Sequence, residues 1–181
     1  MEEGPDKNTL ILKVAITGPE STGKSMIAEQ LAKHFNTVWV PEYAREYIDK
    51  LDRKYEKQDI LKIAKGQLQR EEKILDKANR FLFCDTEFLV TKIWSEHAYG
   101  NSDPWIKNMF KTHTYDLYLL MNIDLAWEYD TQREHPQMRE YFFNWYSNEL
   151  EKNTFPFIVI SGTGDERLKN AIKMIHSFFK I

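Results

Sequence analysis

This sequence predicts an α/β fold in three layers, with a five-stranded parallel sheet between two sheets of helices. Three observations carry that prediction. Short apolar, β-branched or aromatic runs occur at Leu10 to Thr17, Thr37 to Val40, Phe81 to Cys84, Leu117 to Met121 and Phe157 to Ile160, and runs of this length bounded by turn signals read as buried strands. The intervals hold charged segments with apolar residues at helical spacing, and strands alternating with helices imply parallel pairing with right-handed crossovers. The chain has 181 residues, 42% hydrophobic and 29% charged, which suits one domain around one core.

Taken in order, residues 1 to 9 are polar and are expected to be disordered, so the domain is expected over 10 to 181. The opening strand stops at Gly18. Lys24 to Phe35 then places Met26, Ile27, Leu31 and Phe35 at helical spacing, and a second strand ends at Pro41. Glu42 to Leu51 and Gln58 to Asn79 are amphipathic, the latter through Ile60, Ile63, Ala64, Leu68, Ile74 and Leu75. The third strand runs into Asp85. Helices are expected at Asn108 to His113, Gln137 to Lys152 and Asp165 to Lys180, and the fifth strand runs into Ser161-Gly162-Thr163-Gly164. Ligands of such sheets gather at the carboxyl ends of the strands, which directs attention to where each strand stops.

Charge and composition exclude several functions. With 25 basic and 28 acidic residues the formal charge is −3, and no basic excess exists to neutralise a nucleic-acid backbone. No apolar run approaches the roughly 18 residues of a membrane-spanning helix, and the start carries Glu2, Glu3 and Asp6 in place of a signal sequence. The single cysteine, Cys84, reads as a buried apolar residue. A soluble protein in a reducing cytoplasm is the expectation. His34, His97, His113, His135 and His176 show no paired ligand spacing, and there is no C-x-x-C, so no zinc site is expected.

Gly18-Pro19-Glu20-Ser21-Thr22-Gly23-Lys24-Ser25 matches G-x-x-x-x-G-K-[ST] between a strand and a helix, the context in which that pattern forms a phosphate-binding P-loop. The glycines allow close approach, so that amide groups of Glu20, Ser21, Thr22 and Gly23 converge on phosphate at a helix N-terminus. Lys24 supplies a charge for the β and γ phosphates of ATP, and the Ser25 hydroxyl a ligand for Mg²⁺. Asp85 resembles a Walker B acid that orients the same Mg²⁺, although a strand-ending Asp also reads as a cap for the next helix, and a contrary assignment, with Asp85 as base and Glu42 on ribose hydroxyls, stays open because both acids lie at adjoining strand ends. Pro41-Glu42-Tyr43-Ala44-Arg45 allows two readings. Glu42 and Arg45 form an ordinary surface pair, or Glu42 is a base for a phosphoryl acceptor steadied by Arg45. The stretch from about 124 to 140 reads as a lid that carries Arg133 and Arg139 onto the phosphates or leaves them solvated. The tryptophans Trp94, Trp105 and Trp127 read as packing residues, one or two of which could stack on a planar, cationic ring.

Together these segments resemble the ribosylnicotinamide kinase domain of the NadR type, within the nucleoside-kinase-like P-loop fold. The resemblance runs from about residue 11 to 180 and rests on the P-loop, Val40 to Tyr47, Cys84-Asp85-Thr86-Glu87-Phe88 with Thr91, Tyr115-Asp116-Leu117 with Leu119-Leu120, Trp127 with Asp130 and Arg133, and Arg139. It implies transfer of phosphate from ATP to the ribose 5′-hydroxyl of nicotinamide riboside, giving nicotinamide mononucleotide. It also implies an aromatic support for the nicotinamide, for which Trp127 is the first candidate and Tyr43 and Trp94 follow. The family's Asp-Gly-x-Arg turn is Asp130-Thr131-Gln132-Arg133 here, and its Asp-Thr-Asp is Asp85-Thr86-Glu87. No H-x-G-H nucleotidyl-transfer motif occurs, and a stand-alone kinase is expected.

Other classes remain open at this point. A nucleotide-hydrolysing switch or regulatory ATPase would also use the P-loop. However, no Asn-Lys-x-Asp guanine-reading segment is present, and Thr86 stands where a motor ATPase places its water-activating Glu. A kinase for another nucleoside and a module that holds nucleotide without turnover are further alternatives.

Overall fold

A computed structural model describes residues 10–181; the disorder expected for residues 1 to 9 lies outside the described residues. The elements are β1 (Leu12–Thr17), α1 (Lys24–His34), β2 (Val38–Val40), α2 (Tyr43–Asp49), α3 (Lys57–Leu75), β3 (Phe81–Asp85), α4 (Phe88–Tyr99), α5 (Pro104–Thr112), β4 (Leu117–Met121), α6 (Arg139–Lys152), β5 (Phe157–Ile160) and α7 (Gly164–Phe179). The five strands form one parallel sheet in the order β2-β3-β1-β4-β5.

Successive side chains of a strand point to opposite faces, and the central strands β1, β3 and β4 are mainly apolar because both faces are covered. Val14, Ile16, Phe81, Phe83, Leu117, Leu119 and Met121 meet Ile27 and Leu31 of α1 and Ala171 and Ile175 of α7. Ala15, Leu82, Cys84, Tyr118 and Leu120 meet α3, α4, α5 and α6 through Ile60, Leu89, Ile106, Phe110 and Phe142. The expected three layers are present, and Cys84 is a buried free thiol.

The register brings the functional strand ends together. Ile16 pairs with Asp85 and Val40 with Cys84, so β1, β3 and β2 finish side by side. Asp85 follows Phe83 by two residues and projects to the α1 face of the sheet.

Several boundaries differ from the sequence reading, each for a local reason. The first strand opens at Leu12 and α3 closes at Leu75. α5 begins four residues early, at Pro104, because the Asp103 carboxylate accepts the Trp105 amide at 2.8 Å and proline is tolerated in a first turn. The cap of α4 is Glu87, whose carboxylate accepts the Leu89 amide at 2.5 Å, and not the strand-ending Asp85. Thr86 instead takes a left-handed backbone conformation, φ 68°, uncommon and strained for a β-branched residue. Between β4 and α6, residues 122–138 contain only turns and bends. No helix among the described residues is long and apolar enough to cross a membrane.

Candidate active site

The P-loop wraps the amino end of α1, whose first amides have no partners within the helix and so face a ligand. Gly18 and Gly23 hold φ values of 127° and 77°, and a Cβ on Gly18 would lie 3.1 Å from the Met121 carbonyl oxygen. Neither position suits an ordinary L-residue. Within the loop, the Thr22 hydroxyl donates to the Pro19 carbonyl at 2.8 Å and Lys24 Nζ to the same oxygen at 2.7 Å. Burial lowers the Lys24 pKa, opposed by Glu42, Asp85 and Glu20, with Arg133 adding to the fall.

Asp85 stands beside the loop with its carboxylate buried and neither oxygen hydrogen-bonded. Burial first, and then the charge of Glu42, push its pKa up to about 7, against the pull of the nearby Ser25 hydroxyl, Lys24 and Arg45. An unpartnered buried carboxylate is costly to leave without a counter-charge. A hard divalent cation fits that need, because Mg²⁺ takes one or two protein oxygens and completes its shell with phosphate and water. No group of three or more His, Cys, Asp or Glu side chains gathers for a metal among the described residues.

Glu42 precedes α2 at the end of β2, and its Oε2 lies 3.4 Å from Arg45 Nε. Arg45 Nη1 also donates to Asp130 at 2.8 Å, linking the second strand end to the segment 122–138. That segment is docked on the P-loop at several points. The Glu20 carboxylate accepts the amides of Glu134 and His135, and Ser21 Oγ accepts the Glu128 amide at 2.9 Å. Beside it lies a cleft of ≈ 1290 Å³ bounded by the P-loop, Glu42, Arg45, Asp85 and Arg133, and lined also by Tyr55, Trp94, His97 and His135. Its volume exceeds that of a typical single-ligand pocket of about 300–1,000 Å³.

The structure gathers Gly18, Ser21, Thr22, Gly23, Lys24, Ser25, Glu42, Arg45, Asp85, Trp94 and Arg133 around this cleft. Glu20 also lines the cleft, and its carboxylate accepts amides of the docked segment. Three expectations need correction. Tyr43 is turned away: its ring lies over Gly66 of α3 and under the Arg70 guanidinium, 4.9 Å from the ring centre. Trp127 lies outside the cleft wall, with the Arg139 guanidinium 5.9 Å from its ring centre. Arg139 itself donates to the carbonyls of Ser21, 3.2 Å, and Leu125, 2.9 Å, so it braces the segment against the P-loop and does not line the cleft. Helix α6 starts at Arg139.

Sequence reasoning missed Tyr55, whose ring meets Trp94 edge-on at 4.8 Å, and the contact of His97 with His135, also 4.8 Å. It also missed the fully buried Arg167. None of these belongs to a local motif; each acquires its place only through the packing of distant segments.

Comparison with known proteins adds three findings. A family model described as an AAA domain matches residues 13–167. The trifunctional NAD biosynthesis/regulator protein NadR of Escherichia coli (strain K12) is 29% identical over 178 residues, covering 93% of this chain and 43% of its own length. The chain therefore spans less than half of that curated relative. Among solved structures, a NadR protein in complex with NR superposes with TM-score 0.78 at 22% identity, over 94% of this chain and 52% of that one. Thymidylate kinase from Ehrlichia chaffeensis superposes with TM-score 0.64 at 15% identity, over 92% and 97%.

Proposed function

The chain belongs to the AAA-domain family that residues 13–167 match, and from that premise we propose that it is an ATP-dependent kinase of a small nucleoside, with nicotinamide riboside as the acceptor. The observation that carries this reading is the buried, unpartnered Asp85 between the P-loop and Glu42 at three adjoining strand ends. The likeness to NadR over 93% of the chain supports the choice of acceptor.

In this reading the P-loop amides and Lys24 hold the triphosphate, and Ser25 and Asp85 would hold Mg²⁺. That ion supplies neutralisation of the charge on the β and γ phosphates. Glu42 accepts the proton of the ribose 5′-hydroxyl as its oxygen bonds to the γ-phosphorus and the bond to the β,γ-bridging oxygen breaks, releasing ADP. Arg45 orients Glu42 from 3.4 Å. Arg133, on the cleft wall near Lys24, faces the transferring group. Most of the catalysis is positioning and charge compensation in the cleft beside the docked segment. Trp94, set against Tyr55, takes the place of Trp127 and Tyr43 as the support for the nicotinamide ring.

A second reading, a regulatory P-loop ATPase, draws on the AAA description of the family. It is disfavoured because Thr86 follows Asp85, and the next acid, Glu87, is occupied by the Thr17 hydroxyl at 2.8 Å and the Leu89 amide. ADP release measured with and without a panel of ribonucleosides, with mass detection of products, separates the readings. Strong stimulation by nicotinamide riboside with formation of its 5′-phosphate is expected. Indifference to every nucleoside with steady release indicates an ATPase, stimulation by a different nucleoside reassigns the acceptor, and binding without release indicates a nucleotide-holding module.

A further inference from the structure

Arg167 sits in the first turn of α7 with no part of its side chain exposed. Its guanidinium gathers three separate loops. Nη1 donates to the Asp124 carboxylate and to the Gly162 carbonyl at 2.8 Å, and Nη2 donates to the carbonyls of Asn122 at 2.7 Å and Thr22 at 3.0 Å. Thr22 belongs to the P-loop, Asn122 and Asp124 to the root of the docked segment, and Gly162 to the turn after β5. Only Nε lacks a partner.

Burying a guanidinium is expensive, and a well-packed apolar residue commonly stabilises such a position as well or better. What the charge adds is direction, because the planar fork fixes several acceptors at once. One of these acceptors matters for the cleft. A peptide unit is planar and trans, so its carbonyl and its N–H point in opposite directions. Holding the Thr22 carbonyl against Arg167 therefore turns the Gly23 N–H the other way, and Gly23 lines the cleft. This peptide precedes a glycine in the left-handed region, φ 77°, where the backbone is least restrained by its own side chain and most free to flip.

We propose that Arg167 is a positioning residue of the reaction: it locks the Thr22–Gly23 peptide in the orientation that presents an amide to the donor phosphates. Arg167 touches no reacting group, and its effect passes through the loop. The inference rests on reading that loop as the triphosphate cradle.

The test compares wild type with Arg167→Lys, which keeps the charge but not the fork, and with Arg167→Gln. MgATP is titrated by calorimetry well below each melting temperature, KM is measured for ATP and for the nucleoside, and the Gly23 amide is followed by NMR without nucleotide. Expected in the variants are a rise of at least about tenfold in the Kd and KM for MgATP, with the nucleoside KM within about twofold. A broadened or displaced Gly23 resonance should accompany it. A lower melting temperature with unchanged MgATP affinity and an unchanged Gly23 resonance overturns the proposal and leaves Arg167 a structural residue. Should Arg167→Gln fail to fold, Arg167→Lys decides alone. Wild-type protein that gives no heat with MgATP overturns the cradle reading, and the positioning role in the reaction with it; the Gly23 resonance then still shows whether Arg167 holds the peptide.

Discussion

Asp85 and Glu42 stand at neighbouring strand ends but in unlike surroundings, and the roles proposed for them rest on that contrast. Asp85 is buried without a hydrogen-bond partner, whereas Glu42 is partly exposed and pairs with Arg45. Asp85→Asn and Glu42→Gln should each lower kcat by about 10²–10⁴, and raised Mg²⁺ should restore part of the loss only in Asp85→Asn. Restoration only in Glu42→Gln would exchange the two assignments. At this scale the sequence was informative wherever chemistry is local. Gly18 to Ser25 form their cradle from eight consecutive residues, and Asp85 is placed by the strand it ends. Tyr43 and Trp127 were misjudged because the direction of a side chain depends on what packs beside it: Gly66 admits the Tyr43 ring, and Arg139 covers Trp127. Arg167 gave no signal, since its partners lie at Thr22, Asn122, Asp124 and Gly162.

Among the elements, the contact of α2 with α3 sets how Glu42 and Arg45 enter the cleft. Gly66 lies mid-helix, where alanine would ordinarily gain up to about 1 kcal/mol in propensity. Here a Cβ would come within 2.0 Å of Tyr43 Cε1 and 2.4 Å of Cδ1, and such overpacking costs about 1–3 kcal/mol. Gly66→Ala should therefore lower the melting temperature, and Tyr43→Ala in the same chain should remove that penalty. A simple rise in stability on Gly66→Ala would contradict the packing. The start of α3 makes a second prediction. Asp59 is fully buried at N3 of the helix, accepting from Arg53, Tyr47 and the Glu56 amide. The Arg53 hydrogen bond, then the Glu56 amide and Tyr47, hold its carboxyl well below the ordinary value of 3.8 despite burial. A depressed folded pKa stabilises above the unfolded value and loses that effect as pH falls. Melting curves from pH 7 to 2 should show the gap between wild type and Asp59→Asn widest above about pH 5 and narrowing below 3.8.

For the molecule as a whole, the sheet order was not legible in the sequence, although the strands and their parallel sense were. Periodicity reports which faces are buried but not which strand is whose neighbour. The order β2-β3-β1 places Glu42 and Asp85 beside the P-loop. Because the cleft is bounded by the P-loop, α2, α4 and the segment 122–138 together, a nucleotide should stabilise the entire fold. Binding at a hundred times Kd contributes about 2.7 kcal/mol, or roughly 5–11 °C in melting temperature for a chain of this size. Lys24→Ala should lose most of that shift, and an equal shift in the variant would remove the P-loop from nucleotide binding. The left-handed backbone at Thr86 gives a last consequence, for anyone seeking a hardier version of this protein. A library ranked by heat resistance alone should favour Thr86→Gly, which relieves the tension in that bend. The same change slackens the corner that aims Asp85, so survivors of the heat step should turn over substrate more slowly, and a screen for durability would select against catalysis.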